Sequence, residues 1–207
     1  MKEKIRINLK TEIIAKNIKY FEKTNSTQLV AKEMAEEKVE NGTLVITNDQ
    51  ENGLGTHDRK WYSEAGKNIM FTLIIYPKCD IKHLNTITVD IARCIVVTIE
   101  KLYDFKLEIK HPNDLIYIGK KVGGILTQIV TNGEKIRYLL IGIGININQE
   151  QFEGEIKETA TSLKIELGKI GESTRVRECA KGDLDREKIV AEFCNLFEEY
   201  CIQNKII

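Results

Sequence analysis

The sequence predicts an α+β domain, a mixed and mainly antiparallel sheet flanked by helices. Three observations point there. Helical stripes stand between runs of strand-like segments and do not alternate with them one for one, which argues against a doubly wound sheet. Asn132-Gly133 separates two apolar runs and is the strongest short hairpin signal in the chain. Ile87, Ile91, Ile95 and Leu102 form a helical stripe that marks one long central helix over residues 83–103. With 207 residues and 42% hydrophobic side chains, the chain can bury one full core and has little room for a second.

The elements follow in order. Residues 10–17 are polar and mixed and read as a lead-in, and 18–21 as a short strand. Ser26 caps the helix that follows, in which Val30 and Met34 lie one turn apart and residues 36–38 face solvent. Asn41-Gly42 ends that helix and opens a strand over 43–47. Residues 48–67 show little apolar periodicity. A loop that long inside a domain is usually functional or mobile. Residues 69–75 form a buried strand stopped by Pro77. After the central helix, strands are expected over 106–109, 115–118, 124–130 and 136–147. Thr161 or Ser162 caps a short helix ending at Gly168. Asp185 caps another, with Ile189, Phe193, Leu196, Phe197 and Tyr200 on one face.

Composition excludes several classes. Lys and Arg number 31 against 31 Asp and Glu, so no broad basic footprint supports nucleic-acid binding by charge. The longest apolar stretch, 91–99, is short and carries Arg93, so nothing spans a membrane. Met1-Lys2-Glu3-Lys4 lacks the apolar centre of a signal peptide, and the expectation is a soluble cytoplasmic protein. Cys79, Cys94, Cys179, Cys194 and Cys201 are odd in number, widely spaced and without a Cys-x-x-Cys pair. They argue against a disulfide framework or a zinc site, and Cys94, Cys194 and Cys201 read as buried hydrophobes. His57, His83 and His111 show no metal-ligand spacing.

Three segments carry Gly, Asn and charge beyond what folding requires. The first is Glu51-Asn52-Gly53-Leu54-Gly55-Thr56-His57-Asp58-Arg59-Lys60-Trp61. Its glycines let backbone N–H groups approach an anion, and His57, Arg59 and Lys60 add charge-assisted donors. An ordinary surface loop anchored by Trp61 accounts for the same residues. The second is Lys110-His111-Pro112-Asn113-Asp114 with Lys120-Lys121-Val122-Gly123-Gly124-Ile125-Leu126. A lysine before paired glycines at a strand start can hold an anion as a point charge. A turn at Pro-Asn-Asp and a hairpin at Gly119-Lys120 fit equally well. The third is Gly142-Ile143-Gly144-Ile145-Asn146-Ile147-Asn148, where alternation puts Asn146 and Asn148 on the glycine side. It is no dinucleotide fingerprint, because the third glycine and a following helix are missing.

Taken together, these segments resemble the biotin–protein ligase family, which groups with lipoate ligases and class II aminoacyl-tRNA synthetases. The resemblance runs over residues 18–167 in unbroken motif order. Ser26-Thr27-Gln28 is similar to the family's Ser-Thr-Asn segment, with Gln28 for Asn. Residues 110–114 resemble Lys-Trp-Pro-Asn-Asp, with His111 for Trp. Lys121-Val122-Gly123-Gly124-Ile125-Leu126 is similar to Lys-x-x-Gly-Ile-Leu, residues 142–148 to Gly-x-Gly-x-Asn-x-Asn, and Ala160-Thr161-Ser162-Leu163 to a later family segment. The family's adenylate loop, Gly-Arg-Gly-Arg-x-Gly-Arg, is here Gly53-Leu54-Gly55-Thr56-His57-Asp58-Arg59. Leu54 and Thr56 stand where arginines are usual, and Glu51 stands for the usual Gln. Each charged hydrogen bond to phosphate so lost is worth about 1.5–3 kcal/mol.

The resemblance implies a class II synthetase-like fold and a two-step reaction, in which biotin and ATP form biotinyl-adenylate and biotin then passes to a carrier lysine of a carboxylase. It assigns catalysis to Lys121 and Arg59. It assigns substrate contacts to Ser26, Thr27, Gln28, Glu51, Gly53, Gly55, Thr56, His57, Trp61, Gly123 and Gly124. Nucleotide contacts fall to Asn113, Asp114 and Asn146, with Asp114 also placed to hold Mg²⁺. Two alternatives remain on the same residues: an adenylating ligase for another carboxylate such as lipoate, and a non-catalytic relative that binds biotin or adenylate. The expected organisation is one catalytic domain over 1–207, with a lead-in (1–17), a ligase-like core (18–167) and a C-terminal helical segment (168–207). No DNA-binding domain is expected before it and no β-barrel after it. A homodimer through the sheet edge is the expected assembly, with no DNA or membrane partner.

Overall fold

The computed structural model describes residues 1–170 and 182–207. In chain order the elements are α1 (Lys2–Asn8), β1 (Ile18–Thr24), α2 (Thr27–Glu36), β2 (Thr43–Gln50), β3 (Gly53–Leu54) and β4 (Lys60–Trp61). They continue with β5 (Ile69–Ile75), α3 (Ile87–Tyr103), β6 (Glu108–Lys110), β7 (Asp114–Tyr117), β8 (Lys120–Asn132), β9 (Lys135–Ile145), α4 (Leu163–Ile170) and α5 (Arg186–Gln203). Seven strands form one sheet in the order β1-β2-β5-β9-β8-β7-β6, and β3 pairs with β4 as a separate hairpin. Only β1 and β2 run parallel; every other pair in the sheet is antiparallel. The α+β expectation holds.

All seven residues of β5 are buried, as a central strand covered on both faces requires. Its alternation sorts the two faces. Ile69, Phe71, Leu73 and Ile75 enter the main core with α3 and α5, where Phe71 meets Phe193 at 5.7 Å between ring centroids. Ile74 enters a smaller cluster with Ala31 and Ala35 of α2, and with Tyr138 and Leu140 of β9. The two alanines let α2 lie close to the sheet. That helix covers only part of its face, and the uncovered part holds the cleft described below.

Several elements differ from the sequence expectation. The segment read as a lead-in begins with helix α1 and is fastened by α5. Asn195 accepts a hydrogen bond from the Lys10 N–H (2.8 Å), and the Glu198 carboxylate accepts from the N–H groups of Glu12 (2.6 Å), Ile13 (2.9 Å) and Ile14 (2.7 Å). Those partners lie about 185 positions away, so no local pattern announces them. The long loop expected over 48–67 is shorter, because β2 runs on to Gln50 beside β1 and the β3–β4 hairpin follows. The central helix starts at Ile87, after a 3₁₀ turn over Ile81–Leu84. Strand β8 begins four residues earlier than expected, at Lys120. The preceding turn centres on Ile118-Gly119, both at positive φ, rather than on Gly119-Lys120. The Asn132-Gly133 hairpin is present, with Asn132 paired to Lys135 and Gly133 at φ 61°.

Caps agree in part. Asp185 accepts from the Lys188 N–H (2.9 Å) and Ser162 from that of Ile165 (3.3 Å). Ser26 occupies the N-cap of α2, but its hydroxyl makes no capping bond. Cys79, Cys94, Cys194 and Cys201 are free, and Cys179 lies outside the described residues. Burial pushes the Cys94 thiol up to about 11 and raises Cys194 and Cys201 as well, which leaves these thiols protonated and inert near neutrality. Among the described residues, no helix is long and apolar enough to cross a membrane, and no group of three or more His, Cys, Asp or Glu side chains is placed to hold a metal ion.

The Glu198 clamp yields an expected outcome. Glu198→Ala leaves three backbone donors without their acceptor and costs about 3 kcal/mol of stability, whereas Glu198→Gln keeps one acceptor oxygen and loses about half as much. Urea unfolding of the three proteins measures this; equal midpoints would show that the clamp contributes nothing.

Candidate active site

The site is built around bare backbone. Gly142 and Gly144 of β9 face the α2 side of the sheet, because Ile141, Ile143 and Ile145 take the core side. A Cβ at Gly142 would stand 2.6 Å from Gln28 Oε1, and one at Gly144 would stand 2.6 Å from the Trp61 indole. These glycines therefore admit one side chain from α2 and one from the β3–β4 hairpin onto the sheet surface. Gly53 serves the hairpin in the same way, since a Cβ there would lie 2.4 Å from Gln50 Nε2 and 2.7 Å from the Trp61 carbonyl.

The result is a cleft of about 480 Å³, counting its open mouth. It runs from Gln28 over Gly142, past Trp61 over Gly144, to Lys121 beside Gly124, with Met70, Leu126 and Leu54 as apolar wall. Near Gln28 the polar groups are tied together. Gln50 Oε1 accepts from the Thr27 N–H (2.8 Å) and hydroxyl (3.1 Å), which supplies the cap that Ser26 does not. Thr72 lies within donating distance of Thr27 Oγ1 (3.0 Å) and Gln28 Oε1 (3.2 Å). Yet Ser26 Oγ, Gln28 Nε2, Trp61 Nε1 and Asn146 Oδ1 are buried without a partner among the described residues. Each such atom costs about 1–3 kcal/mol unless something pairs with it. Three of the four belong to residues that line this cleft.

Lys121 reaches the cleft through a β-bulge. Leu115 pairs with Gly123 while Ile116 pairs with Lys121, so Val122 is an extra residue in β8. Val122 turns to the core, and a Cβ at Gly123 would meet Leu115 and Ile145 there. Lys121 is thereby set on the same face as Gly124. Its backbone is held on the far side by Thr159 and Thr161 (2.8 and 2.9 Å). Its ammonium stands 2.6 Å from Asp114 Oδ1 and 5.9 Å from the centre of the Trp61 ring. Asn113 also lines the cleft and donates to the Ile125 carbonyl (3.1 Å).

Of the residues singled out in the sequence, Ser26, Thr27, Gln28, Gly55, Thr56, Trp61, Asn113, Lys121 and Gly124 line the cleft together. Asp114 stands behind Lys121, and Gly123 faces the core. Glu51 points outward to Lys23 (2.8 Å); its neighbour Gln50 takes the inward position. His57 and Arg59 are exposed in the turn of the hairpin, where Arg59 Nε donates to the Thr56 carbonyl (3.3 Å). Strand β9 ends at Ile145, so strict alternation stops before the asparagines. Asn146 donates to the Thr161 carbonyl (3.0 Å), and Asn148 exchanges two hydrogen bonds with the Leu184 backbone just before α5. Sequence reasoning missed Gln50, Met70 and Thr72 as lining residues. Thr72 did carry a signal, as the one hydroxyl in the otherwise apolar run Ile69–Ile75.

Comparison with known proteins places this geometry. A profile described as the Biotin/lipoate A/B protein ligase family matches residues 20–146. The bifunctional ligase/repressor BirA of Bacillus subtilis is 37% identical over 166 residues, covering 79% of this chain and 51% of that protein. The biotin–protein ligase of Homo sapiens is 32% identical over 152 residues, covering 69% of this chain and 20% of that one. The chain spans about half the length of the Bacillus BirA relatives it matches. Among solved structures, the biotin protein ligase from Aquifex aeolicus in complex with biotin and ATP aligns with a TM-score of 0.72 at 25% identity, over 92% of this chain and 72% of that one. The chain belongs to the biotin/lipoate A/B protein ligase family.

Proposed function

We propose that this chain catalyses ATP-dependent attachment of biotin to a lysine on the carrier domain of a carboxylase. The observation that carries this reading is the pairing, in one cleft, of unpartnered neutral polar groups with a single ammonium. Biotin's cyclic urea offers one carbonyl acceptor and two N–H donors, its thioether ring and chain are apolar, and its tail is a carboxylate. Gln28 Nε2 and Ser26 Oγ suit the urea, Trp61 and Met70 the ring and chain, and Lys121 the carboxylate. A dithiolane such as lipoate's has no comparable acceptor and would leave the buried donors unpaired, which favours biotin over that alternative.

In the first step the carboxylate oxygen attacks the α-phosphorus of ATP; an O–P bond forms and pyrophosphate leaves. Two anions must meet, so Lys121 offsets their repulsion and the charge that builds on the phosphoryl oxygens. Mg²⁺ enters as part of the substrate, bound to the triphosphate. Asn113 and Asn146 orient the nucleotide. In the second step a carrier lysine amine attacks the acyl carbon and AMP departs. The β3–β4 hairpin, which sets Leu54, Gly55 and Thr56 against the cleft, shields the mixed anhydride from water between the steps. We place this reaction in the cytoplasm, where ATP is available, and involve neither DNA nor membrane in it. An edge strand, β1 or β6, provides the surface for a homodimer.

Two outcomes test the reading. Adding biotin and Mg-ATP releases pyrophosphate, and Lys121→Ala lowers that rate by about 10²–10³ while biotin still perturbs the emission of Trp61, the chain's one tryptophan. A wild-type chain that binds neither ligand and makes no pyrophosphate would sink the reading; release with lipoate alone would move it to the other acid. Second, Leu54→Arg with Thr56→Arg restores guanidinium contacts to the phosphate worth about 1.5–3 kcal/mol each, so the adenylate is lost roughly tenfold or more slowly. Rapid gel filtration of the labelled intermediate measures that loss.

A further inference from the structure

We propose that Asp114 is the positioning residue for Lys121 and not a ligand of magnesium. The sheet geometry sets this up. Asp114 is the register partner of Gly124, and Lys121 is that of Ile116, so the two charged side chains meet diagonally across a glycine. A Cβ at Gly124 would lie 3.3 Å from Lys121 Cε and 3.4 Å from Nζ, which means the lysine arm is laid along bare backbone toward Asp114. Its ammonium ends 2.6 Å from Asp114 Oδ1 and over the Trp61 ring. An unsupported lysine has four freely rotating bonds; here the carboxylate, the glycine trough and the indole together select one extended arrangement.

Asp114 itself does not line the cleft, so its effect on a ligand passes through the lysine. An ammonium has three N–H donors. One is spent on Asp114, leaving two for incoming anions, in the spread a carboxylate and a phosphate need. A divalent cation on Asp114 would sit against that ammonium and be repelled by it. The kinetic part of this proposal rests on the ligase reading; the contact between the two side chains does not.

The test uses the full chain with Asp114→Asn and Asp114→Ala. In the free protein, mass spectrometry follows acetylation of Lys121 by an N-hydroxysuccinimide ester, with the exposed lysines as internal standards. Removing the carboxylate is expected to speed labelling of Lys121 several-fold and to shift the Trp61 emission. In the turnover assay, kcat falls at least tenfold in the alanine variant and recovers partly in the asparagine variant, which keeps an acceptor oxygen. The KM for biotin and the Mg²⁺ concentration for half-maximal rate move less than twofold. A tenfold rise in the Mg²⁺ requirement would overturn the proposal in favour of a metal ligand. Unchanged Lys121 labelling in both variants, in proteins that melt like the wild type, would overturn it too. If the wild type releases no pyrophosphate, the ligase reading fails while the labelling still decides the Asp114–Lys121 contact.

Discussion

Side chains from two separate elements, α2 and the β3–β4 hairpin, converge over β9 because Gly142 and Gly144 present bare backbone there, on a strand whose other face is packed solid with isoleucine. The approach is close: a methyl group at either position would intrude to 2.6 Å on the Gln28 amide oxygen or the Trp61 ring, so the side chain above it would have to shift. The rest of the site depends on this constraint. The indole resting on Gly144 gives the cleft an apolar floor and stands beneath the ammonium of Lys121. The glutamine at Gly142 leaves its amide nitrogen unpaired at the other end. The same alternation that makes β9 a core strand also makes it a platform, since inward isoleucines and outward glycines come from one period of two.

A regular strand would not have delivered the charge. From Gly124 to Lys121 is three residues, an odd number, which in an unbroken ladder would put the two on opposite faces and send the lysine toward the core. The extra residue at Val122 restores the phase. It buries an apolar side chain where the lysine would have gone, and the displaced backbone is held by the Lys121 N–H donating to the Thr159 carbonyl and the Lys121 carbonyl accepting from the Thr161 N–H. Packing and electrostatics are thus coupled at one position: Val122 is as much a part of aiming Lys121 as Asp114 is.

How much of this was readable in advance divides along range of interaction. Short-range signals worked. Asn132-Gly133 marked its hairpin, Asp185 its cap, and the isoleucine stripe its helix, because each acts over a few residues. The glycine motifs marked the site, although their individual meaning lay in contacts with Gln28 and Trp61, far off in sequence. Long-range partners stayed hidden. Nothing near residues 10–14 announces Glu198, and nothing near Glu51 says that Gln50 points inward, since that follows from how far β2 runs beside β1. The asparagines of 142–148 misled for a related reason. Alternation was extended past Ile145, where the strand ends and Thr161 and Leu184 claim their side chains.

The hairpin over the cleft separates two kinds of requirement. Gly53 and Gly55 match the family loop pattern, and they and Trp61 each have a steric reason: Gly53 to clear Gln50, Gly55 to bring its N–H to the Arg59 carbonyl at 2.8 Å, Trp61 to fill the space above Gly144. Leu54 and Thr56 depart from it, and they line the cleft without any structural partner that demands an arginine there. Steric demands are steep, because overpacking a close contact forces side chains and backbone to shift at a cost of about 1–3 kcal/mol. Electrostatic ones are graded, since each added cation contributes its own increment and others can carry part of the charge. A chain can therefore exchange guanidinium groups for uncharged side chains and keep the architecture that closes the cleft. Such an exchange leaves the ammonium of Lys121, aimed by the sheet itself, as the cation among the described residues that line the cleft.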